Sequence, residues 1–515
     1  MPILDDDFNN QLKALNIDYN KLLESAINKT EELLKGGFII EAEIIAKQIL
    51  IVDPDNLPAL QLQGLILFRN RKYKEAIEII NRAIKLDDSN AENHNNIALC
   101  YLHSGQSEIA LTHIAKAKRL SPENFNFMNN AGLILRSMGH LSEAISNFKL
   151  AIKTEPNNSR SWENLGSLYG QKKMLAEATD CFNKAIELDP TNLGAHVDLA
   201  YAYHLNGNWE EAWVEYEARL EYWYKEGRNP GKFYDIYKPD KKWDGKASLE
   251  GKKLVVYCEQ GNGDMIQFVR FVPLLVKLGA AVIIDTPQEL VALFDGFGTI
   301  RTNYNDGLEY DYHCSILSLP FLLKLSKEQL NAKEPYLEVE SNEFPEEYNE
   351  FFKIGIVWAG NPGHPNDANR SVYLSNFKSI AQLSGVKLFS FQKELGKRVY
   401  AHSDVQIDLT ENCEDMRLVD LSVSMADFKA TANLLSHMDL LITVDTSVLH
   451  LAGAIGKETY ALIPYNPDWR WGISGSDNVW YPTVTLFRQE EPGDWASVFS
   501  TIESKVNDLL QNKRQ

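Results

Sequence analysis

The sequence predicts an α-solenoid followed by two Rossmann-like α/β units with parallel sheets. Two observations carry this. Ala42, Ala76, Ala110, Ala144, Ala178 and Ala212 recur every 34 residues, a period that belongs to stacked helix pairs. Beyond residue 252 the pattern changes to short apolar runs, each followed by a polar turn and a helical stretch, which marks strands alternating with helices. The 515 residues leave room for two to four domains. The boundaries read from the sequence are 1–224 for the repeats, 225–252 for a linker, and 253–345 and 346–515 for the two α/β units.

The fifth repeat is the clearest. Trp162, Leu165, Gly166 and Tyr169 are followed by Ala178, Phe182, Ala185 and Pro190, which matches the tetratricopeptide pattern. Gly64, Ala98, Gly132, Gly166 and Ala200 occupy the small position of the first helix of each pair, and Pro54, Pro122, Pro156 and Pro190 stop the second. Small residues let antiparallel helices approach closely, and Pro cannot continue a helix. About six pairs are expected between Lys21 and Tyr224. Such stacks curve around an inner surface suited to extended peptide. Asn96, Asn130 and Asn164 also stand 34 apart, and Asp198 continues the row. A primary amide both donates and accepts, so an Asn row can grip a peptide backbone whatever its side chains. Repeat consensus, with Asn bonding a neighbouring helix, explains the row equally well. The row resembles the asparagine ladder of O-GlcNAc transferases.

The repeats close on Trp209, Trp213, Tyr216, Tyr222, Trp223 and Tyr224, read as a capping surface docked on the next domain. The linker is rich in Lys and holds Gly-Arg-Asn-Pro-Gly, which predicts irregular structure. Strands are expected at 254–257, 280–284, 353–358, 387–391, 440–444 and 460–463, where apolar residues run together.

Three turns after these strands carry candidate chemistry. The first is Glu259-Gln-Gly261-Asn-Gly263-Asp264. A dinucleotide reading fails on the missing third Gly and on Asp264, whose charge would repel a pyrophosphate at a helix start. Asp264 is either a helix N-cap or a carboxylate that takes a proton from a hydroxyl, and Glu259 is a rival base. The second turn is Asp445-Thr446-Ser447, one turn before His450. Hydroxyls and unpaired N–H groups at a helix start form an anion site that requires no metal, while His450 as a core histidine and Asp445 as a turn residue are the plainer alternatives. The third is the polar loop from Trp358 to Ser371, whose Arg370 can fork onto phosphate; a solvated loop held by local side-chain bonds is the plainer alternative. The cluster Pro467-Asp468-Trp469-Arg470-Trp471 reads as a seal between domains more than a stacking platform.

Composition narrows the function. The 52 Lys and Arg against 71 Asp and Glu leave a net charge of −19, which argues against a general nucleic-acid binder or a protein held on anionic lipid. Five scattered cysteines without CxxC spacing support neither disulfides nor a zinc site. The acidic start lacks an apolar signal segment, and the most apolar stretch, 268–284, is interrupted by Arg270 and Lys277. A cytoplasmic protein without a membrane span is expected.

Taken together, EQGNGDMIQFVRFVP, IGIVWAGNPGHPNDANRS, DLLITVDTSVLHLAGAIGK, IPYNPDWRW and WYPTVTLFRQEEPGDW resemble bacterial tetratricopeptide–glycosyltransferase fusions. Their transferase half is similar to the heptosyltransferase-like family 9 enzymes. The resemblance spans about Trp243 to Leu510 and implies a GT-B fold, with the donor bound mainly by the second α/β unit and the acceptor entering from the first. It implies that a closing helix, at 494–511, crosses back to the first unit. By the same resemblance Asp264 is the catalytic base. Asp445, Thr446, Ser447 and His450 bind the donor, Arg370 lies near its phosphates, and Gln392 falls where some relatives carry an acidic donor contact. The implied activity is metal-independent, inverting transfer from a nucleotide sugar, with no further cofactor. The implied acceptor is a protein held by the repeats, flagellin or another surface protein. The readings kept beside it are an inactive transferase-like scaffold and a transferase acting on a glycan or lipid-linked sugar.

Overall fold

A computed structural model describes residues 19–225, 238–302, 307–331, 333–340, 343–393, 397–399, 406–410, 413 and 416–514. The acidic N-terminal stretch and much of the expected linker lie outside them. Six helix pairs run through the first part: α1 Tyr19–Lys35 and α2 Ile39–Val52, α3 Leu57–Arg69 and α4 Tyr73–Leu86, α5 Ala91–His103 and α6 Ser107–Leu120, α7 Phe125–Ser137 and α8 Leu141–Thr154, α9 Ser159–Gln171 and α10 Leu175–Leu188, and α11 Leu193–Asn206 and α12 Trp209–Tyr216. A further helix, α13, spans Arg219–Lys225.

The repeat residues act as the spacing requires. A Cβ on Gly64 would fall 2.5 Å from Ile80, and one on Gly132 would fall 2.5 Å from Phe148, so only a residue without a side chain allows these helices to close. The recurring Ala42, Ala76, Ala110, Ala144, Ala178 and Ala212 are all fully buried. A second row with the same 34-residue spacing caps the helices. Asn56, Asn90, Asn124 and Asn192 each cap the first helix of a pair, accepting from Ala59, Asn93, Asn126 and Ala195 N–H, and Asn158 accepts from Ser161 N–H at 2.9 Å. Such a cap contributes about 1 kcal/mol to its helix.

The chain divides into two compact units, Met1–Leu168 with Glu187–Asp189, and Tyr169–Ile186 with Pro190–Gln515. The last helix pair and α13 therefore belong with the α/β part.

Among the described residues, that part holds two wholly parallel sheets. The first has β1 Lys253–Tyr257, β2 Ala281–Asp285, β3 Thr299–Arg301 and β4 Tyr312–Ser315 in the order β3-β2-β1-β4. The second is built from β5 Phe352–Val357, β6 Val386–Ser390, β9 Val419–Asp420, β10 Leu440–Val444, β11 Thr459–Ile463 and β12 Val484–Arg488, in the order β12-β11-β10-β5-β6-β9. A small antiparallel pair, β7 Lys397–Val399 and β8 Gln406–Asp408, stands apart. The central strands β1, β5, β10 and β11 are buried almost throughout, as parallel strands covered on both faces must be. Helices α14 Asn262–Phe268 and α15 Val272–Lys277 follow β1, α16 Phe428–Ser436 precedes β10, and α17 Ser447–Ala454 follows it. The closing helix, α18 Trp495–Arg514, packs Phe499 edge-on to Phe377 at 4.8 Å and pairs Lys513 with Asp439 at 2.6 Å. These contacts tie it to the second sheet.

Candidate functional site

In an open parallel sheet the strand order reverses at one point, and the loops leaving the strand ends there part to form a crevice. In the first sheet this point lies between β1 and β4, and in the second between β5 and β10. The turns after β1, β5 and β10 line one cavity of about 1130 Å³, together with residues beyond β6 and β11. Asp264, Arg370, Gln392, Asp445, Thr446, Ser447 and His450 all lie in its wall. Residues separated by up to 186 positions are thus gathered at the carboxyl ends of two sheets.

Asp264 is the third residue of α14 and not its N-cap, a position held by Gly261. Its Oδ2 accepts from Gly261 N–H at 2.9 Å, and its Oδ1 accepts from the Arg470 guanidinium. Arg470 also donates from Nε to Gln267 Oε1 at 2.7 Å and from Nη1 to Asp468 Oδ1 at 2.8 Å. Burial pushes the Asp264 carboxyl up and Arg470 opposes that shift. Each carboxylate oxygen carries a second lone pair, so capacity to accept a proton remains.

Glu259 is not a rival base. It is 4% exposed and bound by both arms of a guanidinium, Arg219 Nε to Oε1 at 3.0 Å and Nη2 to Oε2 at 2.7 Å, with the Ser315 hydroxyl as a further donor.

The opposite wall is set by β5 and β10. Thr446 is the N-cap residue of α17, and its Oγ1 has no hydrogen-bond partner among the described residues. His450 bonds Tyr481 Oη through Nδ1 at 3.0 Å and stacks on Trp471 at 5.6 Å. Burial holds it neutral by lowering its pKa well below the usual value. A Cβ on Gly263 would lie 2.8 Å from His450 Cδ2 and 3.4 Å from Ser447 Cα. Gly263 therefore allows the start of α14 to touch α17. Removal from water and the nearby Asp468 push Asp445 up to about 6. Arg370 Nε donates to the buried Asp367 at 3.1 Å, and only a glycine at 360 leaves room for its guanidinium. Gln392 Oε1 accepts from Ala359 N–H at 3.0 Å, which braces the loop after β5. Lys393 and Glu289 line the cavity as well and were not singled out from sequence.

Arg470, which holds the Asp264 carboxylate, has a role that the sequence does not reveal. The sequence places it in an aromatic seal, and the structure contains that seal. Trp469 stacks on His204 at 4.2 Å and meets Trp213 edge-on at 5.6 Å, and Trp209 meets Trp480 at 5.4 Å. The charge between Trp469 and Trp471 was the available signal, because an Arg flanked by two buried rings needs an anionic partner.

The peptide candidates are not among the residues that line this cavity. Asn96, Asn130, Asn164 and Asp198 are half-buried on α5, α7, α9 and α11. Asn130 Nδ2 donates to Asn95 Oδ1 at 2.6 Å, and Asn95 Nδ2 donates to Asn96 Oδ1 at 3.2 Å. The amides of two repeats are therefore linked through a third side chain.

The fold and cavity define a class: a helical-repeat solenoid joined to parallel α/β sheets whose switch points share a cleft. Tetratricopeptide repeat models match residues 125–158, 159–192 and 181–214. A model described as anaphase-promoting complex, cyclosome, subunit 3 matches residues 38–117. The N-terminal region is thus a tetratricopeptide solenoid. Among curated proteins the chain is similar to Protein FlbA of Caulobacter vibrioides, 21% identical over 334 residues, covering 58% of this chain and 52% of FlbA. The chain spans about half the length of that relative. Similar solved structures include MamA, at 24% identity over 31% of this chain and 94% of MamA with a TM-score of 0.28. Another is YrrB, called a TPR protein with an unusual peptide-binding site, at 22% identity over 33% of this chain and 88% of YrrB with a TM-score of 0.28.

Proposed function

We propose that the α/β half is a glycosyltransferase of GT-B type, similar to the heptosyltransferase-like enzymes, and that it moves a sugar from a nucleotide-sugar donor to Ser or Thr hydroxyls of a protein held by the repeats. Flagellin or another surface protein is the acceptor that the sequence resemblance implies. The observation that carries the reading is the shared cleft: a carboxylate from the first sheet faces a hydroxyl-bearing helix start and an arginine from the second.

In this reading the acceptor oxygen attacks the anomeric carbon from the face opposite the nucleotide. The new C–O bond forms as the bond to the donor phosphate breaks, and the bonding pair leaves with the nucleotide. The acceptor proton passes to Asp264, a step that contributes about 10²–10⁴-fold. Arg370, Ser447, the Thr446 hydroxyl and the N-terminus of α17 meet the charge that develops on the leaving group. Asp445 lies nearest in sequence to these groups, and its raised pKa lets it donate a hydrogen bond to phosphate or sugar when protonated.

The test is a melting screen of the pure chain with CMP-, UDP-, GDP-, dTDP- and ADP-linked sugars without added metal. A ligand at about 100 times its Kd adds about 2.7 kcal/mol to stability. One nucleotide should stand out, and Asp264→Ala should keep its binding while losing transfer. No shift with any nucleotide sugar would favour the scaffold reading, to which the tetratricopeptide region is suited on its own.

A further inference from the structure

The end of the repeat region makes contacts that a mere tether does not need. Arg219, at the start of α13, is fully buried and uses all five N–H donors. Nε and Nη2 clamp Glu259, Nη1 reaches Tyr216 O at 3.0 Å and Glu217 Oε1 at 2.9 Å, and Nη2 also reaches Ser318 Oγ at 2.9 Å. Glu259 follows β1 and Ser318 follows β4. A single side chain from the repeats thus bridges the two strand ends between which the first sheet's crevice opens.

A second contact falls on the next residue of the same turn, where Gln260 Nε2 donates to Tyr216 Oη at 3.1 Å. A third path reaches Asp264 from its other side. Trp213 and Tyr216 pack on Trp469, whose neighbour Arg470 holds the Asp264 carboxylate. The turn from Glu259 to Asp264 is therefore gripped at its first, second and last residues by groups that α12 and α13 supply or support.

We propose that Arg219 and Tyr216 are positioning residues for this turn, and that the last repeat is a working part of the transfer site. The catalytic side of the claim rests on the proposed glycosyltransferase activity. The positional side does not. A buried ion pair is a poor way to gain stability alone, since apolar residues of similar volume do as well. What the pair adds here is one fixed geometry for a turn that carries the proposed base.

Full-length Arg219→Lys and Tyr216→Phe proteins test this by amide hydrogen exchange, without ligand. The Phe variant keeps the ring and removes only the bond to Gln260, so it reports even where the Lys variant fails to fold. Exchange across residues 258–264 should rise about tenfold or more in the Lys variant and less in the Phe variant, while β5 and β10 keep wild-type protection. With whichever nucleotide sugar the melting screen selects, kcat should fall by up to about 10²-fold at unchanged KM for the donor, because misplacing a reacting group costs rate more than binding. Unchanged exchange at the turn would overturn the proposal, as would an even loss of protection across both sheets. A loosened turn in a protein that transfers no sugar upholds the positioning role and refutes the activity instead.

Discussion

Replacing His204 by Phe probes the aromatic seam beside the cleft. His204 is 1% exposed, and neither ring nitrogen has a hydrogen-bond partner among the described residues. Its neighbours are Trp209, Trp213, Tyr216 and Trp469. Burial lowers its pKa well below 6.5, and Arg470 and Arg219 add to the effect. The unfolded chain binds a proton at this residue below about pH 6.5 and the folded chain does not, so its contribution makes stability fall as pH drops through that value. Integrated from pH 7.5 to 5.5, one such histidine removes about 1.4 kcal/mol. A Phe ring has no proton to bind and no polar atom to leave unpaired. The variant should be no less stable at pH 7.5 and should lose about 1.4 kcal/mol less than wild type on going to pH 5.5. Urea unfolding followed by tryptophan fluorescence reads this seam directly, since three of the rings around position 204 are indoles. Parallel pH profiles for the two proteins would refute the reasoning and show that His204 finds a partner in solution.

Gly263→Ala should cost about 1–3 kcal/mol in a denaturation experiment, because its Cβ would press on a His450 ring held by Tyr481 and Trp471. The same change should weaken the nucleotide-sugar melting shift by displacing α14 from α17. If the proposed donor binds here, its affinity should fall as pH rises through about 6, where Asp445 loses its proton, and Asp445→Asn should flatten that profile in titrations across pH 5–8. Changing Asn96, Asn130 and Asn164 together to Ala should reduce modification of a protein acceptor, measured by intact mass, and leave turnover with a small acceptor unchanged. Loss of both would remove the repeats from acceptor recognition.

The strands that sequence alone located share a property. Those at 254–257, 280–284, 353–358, 387–391, 440–444 and 460–463 correspond to β1, β2, β5, β6, β10 and β11, every one flanked on both sides in its sheet. The other strands of the two parallel sheets, β3, β4, β9 and β12, are their four edges. A central parallel strand must be apolar on both faces, and that requirement shows as a run of Val, Ile and Leu. An edge strand such as Tyr-His-Cys-Ser at 312–315 needs no such run. The site followed the same division. Asp264 and the Asp445–His450 stretch could be picked out because each follows a visible strand and opens a helix. Arg470 and Arg219 could not, because their meaning lies in partners 206 and 40 residues away.

The sequence by itself determined the helical repeat, its 34-residue period and the parallel character of the sheets. Those depend on local spacing, and burial writes that spacing into every repeat and every central strand. Tertiary structure alone decided that the two switch points open onto one cavity, that Glu259 is locked in an ion pair while Asp264 faces the cleft, and that the last helices of the repeat region grip the turn between them. Pairing of buried charges depends on which side chains meet after folding, and no local period records it.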